Sequence, residues 1–251
     1  MRELPILAEA GQGASHAGIE AKGLRIGHNG GALLDVAHLA LTGPGPTMIL
    51  GPNGAGKSLL LRCLHGLIAP DAGTVRQDGQ KLGAAQRARQ AMVFQKPVLL
   101  RRSVAANLDY VLRRRPLGRA ARKARIAELL AEGGLAGKAR QGARSLSGGE
   151  AQRLAILRAL AAEPRILFLD EPTSALDPAA TQAIEMMILR AARRGTRIVM
   201  VTHDIGQARR LGHDVAILHR GRVVEHGLAH DLFAAPQTDT TRRFLAGALV
   251  I

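Results

Sequence analysis

The 251-residue chain predicts an α/β fold with a mostly parallel sheet, an antiparallel β region and an inserted helical subdomain. Three observations lead there. The runs Ile166-Leu167-Phe168-Leu169, Ile198-Val199-Met200-Val201 and Val215-Ala216-Ile217-Leu218 are apolar throughout and alternate with helical stretches, as parallel strands covered on both faces do. Earlier, Gly23-Leu24-Arg25-Ile26, Leu33 to Leu39 and Thr47-Met48-Ile49-Leu50 read as short strands split by Gly and Pro turns. Between these groups, from about 99 to 160, the pattern turns helical. Ile126, Leu129 and Leu130 alternate there with Arg122, Lys123 and Arg125, and Gly133-Gly134 and Gly142 break the run.

Taken in order, residues 1–20 are rich in Ala and Gly without apolar periodicity and are expected to form a loose tail. Residues 21–251 then make one domain, with the helical subdomain at about 99–160 set into it. Near the end, Arg220-Gly221 between Leu218 and Val223 predicts a hairpin, and a helix follows around Asp231-Leu232-Phe233. With 47% hydrophobic residues the chain can bury one substantial core.

Composition narrows the partners. The net charge of +15 invites a polyanionic partner, but only six of the 35 basic residues are lysines and the arginines are spread along an alanine-rich chain. The densest cluster, Arg113-Arg114-Arg115 through Arg125, reads as a solvated helical face, and 2% aromatic content leaves few stacking platforms. No nucleic-acid partner is expected. No apolar run approaches the roughly 20 residues that cross a bilayer, and no cationic-then-apolar leader opens the chain. The single cysteine, Cys63, reads as a small buried hydrophobe.

The chemistry is concentrated in a few segments. Gly51-Pro52-Asn53-Gly54-Ala55-Gly56-Lys57-Ser58 follows the apolar run Met48-Ile49-Leu50 and opens a helix, which spells a phosphate cradle on a strand end. Its glycines let backbone N–H groups aim inward, Lys57 brings charge to the terminal phosphates, and Ser58 offers a hydroxyl to Mg²⁺. Downstream, Asp170-Glu171 ends an apolar strand whose carboxyl end should face the same crevice. Asp170 suits a Mg²⁺ water shell and Glu171 suits the polarisation of an attacking water, although an isolated Asp-Glu could simply cap the turn at Pro172. His203, after the strand Ile198 to Val201, can reach the γ-phosphate and orient Glu171. Gln95, after Val93-Phe94, can present an amide oxygen to Mg²⁺ and lead into the helical subdomain. Finally, Leu146-Ser147-Gly148-Gly149-Glu150 opens another helix. Alone it is an ordinary N-cap, but two phosphate-binding helix ends exceed what one triphosphate needs, so the second should serve a nucleotide held mainly by another copy.

With these motifs in this order, the chain from about Leu24 onward resembles the ATP-binding subunits of ABC transporters. In that family Gly51 to Ser58 looks like the Walker A loop, Gln95 the Q-loop, and Leu146 to Glu150 the signature motif. Ile166 to Glu171 resembles Walker B with its catalytic glutamate, Ser174-Ala175-Leu176-Asp177 the D-loop, and His203 the switch histidine. The resemblance implies a P-loop ABC ATPase core, ATP with Mg²⁺, and a head-to-tail homodimer in which each ATP lies between one Walker A loop and the partner's signature segment. Asp177 then belongs to the nucleotide site. The family usually stacks an aromatic ring on adenine, and the nearest equivalent here is His28, whose imidazole is a smaller face.

The layout looks like a bacterial importer's ATPase, peripheral at the cytoplasmic face of the inner membrane. Its expected partners are integral permease subunits and an extracytoplasmic solute-binding protein. The stretch Phe94 to Asn107 is similar to that of tungstate-type oxyanion importers, which makes tungstate the expected cargo, with phosphate, molybdate and polar amino acids as alternatives. An ABC protein acting on ribosomes or DNA would typically carry two cassettes or a coiled-coil insertion, and neither is visible, while a small-molecule phosphotransferase would leave Ser147-Gly148-Gly149 and His203 unexplained.

Overall fold

The computed structural model describes residues 18–28 and 31–248. The expected tail lies outside them up to residue 17. Its boundary at 20 falls inside a strand, because Ile19 and Ala21 are buried and draw the chain into the sheet earlier than composition suggested.

Strand β1 (Ile19–His28) pairs antiparallel with β2 (Gly31–Leu41), so both are longer than their apolar runs. The wholly buried β3 (Thr47–Leu50) runs through a tight loop into α1 (Lys57–His65). β4 (Ala72–Gln77) and β5 (Gln80–Lys81) complete a four-stranded antiparallel sheet in the order β2-β1-β4-β5. After the single turn α2 (Ala84–Arg87), β6 (Gln90–Val93) enters the second sheet. Helices α3 (Val104–Leu112), α4 (Arg119–Glu132) and α5 (Gly148–Leu160) then stand where helical spacing was expected, the last two separated by 3₁₀ turns at Ala136–Lys138 and Ala143–Ser145.

The chain returns to the sheet in β7 (Ile166–Asp170), α6 (Pro178–Arg193), β8 (Arg197–Val201), α7 (Ile205–Leu211) and β9 (Asp214–His219). β10 (Arg222–Leu228), α8 (Ala229–Ala234) and α9 (Asp239–Leu245) finish it. The six-stranded order is β10-β9-β3-β8-β7-β6, parallel except for the edge strand β10. The expected hairpin joins β9 to β10 through Arg220 and Gly221, both at positive φ (47° and 75°), the turn sense that suits strand twist.

Alternation along the central strands feeds two cores. Ile49, Phe168, Val199 and Val201 face α1 and the antiparallel sheet, while Leu50, Leu167, Leu169 and Met200 face the helices on the other side. Cys63 sits in the first of these cores, where burial pushes its thiol up to about 11. Register then fixes the site. Ile49 of β3 lies opposite Val201 of β8, and Val201 lies opposite Asp170 of β7, so the loops leaving all three strands emerge side by side.

One buried polar contact anchors the opposite end of these strands. Arg197, 1% exposed at the start of β8, donates to Gly43 O, Gly45 O and Thr47 Oγ1 and faces Asp214 Oδ1 at 3.5 Å. Removing one partner of a buried pair leaves the other uncompensated. Arg197→Ala is therefore expected to lower the unfolding free energy by about 3 kcal/mol in urea titrations.

Candidate nucleotide site

The loop between β3 and α1 owes its shape to glycine. At Gly51 φ is 150°, and a Cβ there would lie 2.0 Å from Leu218 O, so a side chain is sterically barred. Gly54, at φ 78°, has nothing within 4 Å of where its Cβ would be, which leaves open space against the backbone. Lys57, at the first position of α1, curls back into the loop and donates to Gly51 O (2.8 Å) and Pro52 O (3.0 Å). Burial lowers its pKa, and the nearby carboxylates of Glu171 and Asp170 oppose that shift. A cationic ammonium, a bare helix N-terminus and an uncrowded backbone together suit a phosphate chain.

Asp170 ends β7 and is 4% exposed. Ser58 Oγ donates to its Oδ1 at 2.7 Å, and Arg62 approaches its Oδ2 at 3.9 Å. Burial nevertheless raises the pKa of this carboxyl, with Glu171 adding to the effect. Among the described residues no group of three or more His, Cys, Asp or Glu gathers as a metal site. The Ser58–Asp170 pair is all oxygen, which suits Mg²⁺ completed by phosphate and water oxygens rather than a protein cage.

The next residue breaks the strand. Glu171 has φ 45°, a costly backbone for a non-glycine residue, and its N–H donates to Val201 O at 3.0 Å. The turn brings Glu171 Oε2 within 3.1 Å of His203 Nδ1. The imidazole is 58% exposed and the carboxylate 17%, so this pair stands at the mouth of the crevice. Gln95 is tied by its amide nitrogen to the turn beyond Glu171. Its Nε2 donates to Ser174 Oγ (3.2 Å), and Ser174 in turn donates to Glu171 O.

Ser147 and Glu150 form a capping box at the start of α5, with Ser147 N–H to Glu150 Oε2 at 3.0 Å and Glu150 N–H to Ser147 Oγ at 3.4 Å. Lys138 donates to Glu150 Oε1 at 2.5 Å and holds its pKa down. Asp177 caps α6 in the same way, accepting from Ala180 N–H at 2.8 Å ahead of Pro178. The two caps border one open groove of about 550 Å³, because Gly149 lets α5 press on Ala180 of α6. None of the polar partners of Ser147 or Glu150 comes from the 51–58 loop. His28 closes β1 opposite Gly31, and its side chain lies outside the described residues.

A residue that sequence reading passed over sits behind this edge. Gln207 of α7 is wholly buried and bonds to Thr202, Thr173 and Glu185. Its signal was a polar side chain on the apolar face formed by Ala208 and Leu211.

Comparison with known proteins now decides the family. The ABC transporter model matches residues 37–174, just over half of the chain. The chain belongs to the ABC transporter family, as an ATP-binding subunit. It is 40% identical over 249 residues to the phosphate import ATP-binding protein PstB 2 of Natronomonas pharaonis, covering 93% of this chain and 88% of that protein. It is also 40% identical over 210 residues to the methionine import ATP-binding protein MetN of Corynebacterium efficiens, covering 80% of this chain but only 58% of MetN. Among solved structures, the dimeric ATP-binding cassette MJ0796, in a post-hydrolysis state with ADP and Pi, superposes with a TM-score of 0.75 at 29% identity. That match spans 84% of this chain and 98% of that one. The fold is thus the α/β ABC ATPase fold, with mixed sheets and helical elements.

The capping geometry of the ATP-binding subunit separates two roles of Ser147. Ser147→Ala should cost about 1 kcal/mol in thermal or urea unfolding, because the α5 cap is lost. Ser147→Asp should restore that stability, since aspartate caps equally well.

Proposed function

We propose that this subunit hydrolyses ATP to drive an importer, with phosphate ahead of tungstate as cargo. The observation that carries the catalytic reading is the 3.1 Å Glu171–His203 pair beside the phosphate loop, set there by the register of β3, β8 and β7. In this reading the backbone of Gly51, Pro52, Asn53, Gly54, Ala55 and Gly56 wraps the phosphates and Lys57 leaves its loop carbonyls to neutralise the γ-phosphate. Ser58, Asp170 and the amide oxygen of Gln95 would hold Mg²⁺. Bound there, Mg²⁺ neutralises charge that develops on the phosphate oxygens.

Glu171 accepts a proton from the attacking water, and His203 fixes the orientation of Glu171 and of the γ-phosphate. His28 serves adenine. Ser147, Gly148, Gly149, Glu150 and Asp177 complete the site of a second copy. That composite site is supported by the lack of any polar link between Ser147 or Glu150 and the chain's own loop, and by the dimeric state of the MJ0796 cassette. In this reading the subunit docks on a membrane permease, with a solute-binding protein outside and a peripheral position at the inner membrane, a setting that the import ATP-binding names of the relatives support. No helix among the described residues is long and apolar enough to cross a membrane.

On cargo, the names of the relatives favour the alternatives over tungstate. A phosphate importer matches nearly end to end, and methionine importers match over part of their length. ATPase activity of the subunit reconstituted with its permease and solute-binding protein should rise with phosphate and stay flat with tungstate. The reverse would restore the tungstate reading.

Glu171→Gln is expected to lower turnover at least 100-fold and to accumulate ATP-loaded dimers on gel filtration. Near-normal turnover would remove Glu171 from the reaction. Lys57→Ala should abolish tight ATP binding in equilibrium titrations. Ser147→Asp, stable as argued above, should still lose hydrolysis, because its carboxylate would face the partner's phosphates.

A further inference from the structure

Two segments must stay aligned for the Glu171–His203 pair to form, and each leaves a different strand. We propose that Gln207 is the positioning residue that holds them in register. This rests on the ATPase reading above and goes beyond it.

The amide of Gln207 is 0% exposed and uses both of its polar atoms. Its Oε1 accepts from Thr202 Oγ1 at 2.8 Å, and its Nε2 donates to Thr173 Oγ1 at 3.0 Å and to Glu185 Oε1 at 3.0 Å. Thr202 immediately precedes His203, and its hydroxyl also accepts the N–H of Asp204 at 3.1 Å, so the peptides on both sides of the histidine are tied to it. Asp204 in turn caps α7 by accepting the N–H of Gln207 itself at 3.0 Å. Thr173 lies two residues beyond Glu171, next to Ser174, whose N–H and hydroxyl both reach Glu171 O. One buried amide thereby spans the loop after β7 and the loop after β8.

The third bond supplies the fixed point. Glu185 belongs to the 16-residue helix α6 and also accepts from Arg210, at 2.7 Å on the same Oε1 and at 3.3 Å on Oε2. A short loop that moves alone has many conformations, whereas loops pinned to one buried amide and a long helix have few. The Glu171–His203 contact is exposed on the histidine side and is a single hydrogen bond, so it cannot hold its own alignment against thermal motion of two loops. Catalytic geometry is unforgiving, and small displacements cost large factors in rate.

The test is a set of variants of the full chain assayed for hydrolysis of Mg-ATP, with ATP affinity and thermal stability measured alongside. Gln207→Leu keeps the volume and removes both polar atoms. It is expected to lower kcat at least tenfold while the ATP dissociation constant stays within twofold of wild type. Thr202→Val should reproduce that loss, and Thr202→Ser, which keeps the hydroxyl, should retain near-wild-type kcat. The double variant Gln207→Leu/Thr202→Val should lose less than the product of the two single losses, because the two share the Thr202–Gln207 bond.

If folded Gln207→Leu turns over within twofold of wild type, or if the two losses multiply, the positioning role is overturned. Should Gln207→Leu fail to fold, Thr202→Val against Thr202→Ser decides: equal kcat overturns the proposal and the split supports it. Glu171→Gln runs in the same assay. An inactive Glu171→Gln beside a fully active Gln207→Leu overturns the positioning role alone, whereas a fully active Glu171→Gln removes Glu171 from the reaction and the positioning role with it.

Discussion

The parallel pairing of β3, β8 and β7 is the constraint from which the rest follows. Pairing in one direction sends every strand's carboxyl end to one edge, and the register places Ile49, Val201 and Asp170 in a row across it. A phosphate loop at 51–58, a carboxylate pair more than a hundred residues later and a histidine further on at 203 become neighbours for that reason alone. A slip of one residue in either pairing would turn Asp170 or Val201 to the other face of the sheet. Full burial of all three strands makes such a slip prohibitive.

That edge is built against its own electrostatic interest. Burial works against charge on both Lys57 and Asp170, and Glu171 adds a strained backbone beside a second carboxylate. Each group finds partial relief within the chain: Lys57 on loop carbonyls, Asp170 on Ser58 and Arg62. These are substitute partners. A site that holds charges in poor solvation is primed for a ligand that brings the complementary charges with it.

Much of this was legible in the sequence because the decisive signals are local. The run into Gly51 and Lys57, the apolar strand ending at Asp170 and the hairpin at Arg220-Gly221 each announce themselves within ten residues. Ser147 was readable as a cap, and it is one. The expected tail boundary at 20 misplaced Ile19, because a strand start is set by what packs over it and composition alone does not say. Gln95 shows the same limit: spacing placed it after a strand, but its bond to Ser174 depends on a segment nearly eighty residues away. For Gln207 the local sign was a polar residue on an apolar helix face, and its role was not readable from that, since its three side-chain partners come from three separate segments. The cargo preference drawn from the 94–107 stretch did not carry over to the relatives, which are named for phosphate and methionine import.

Helix α5 has a mechanical consequence. Its N-terminus carries the Ser147 cap, one turn on Gln152 donates to Phe94 O at 3.3 Å, and further along Arg158 donates to Val98 O at 2.6 Å. Thirteen residues of α-helix make a stiff rod of about 20 Å. The helix thereby joins the groove beside Asp177 to the exposed strip bearing Phe94 and Val98 as one rigid piece.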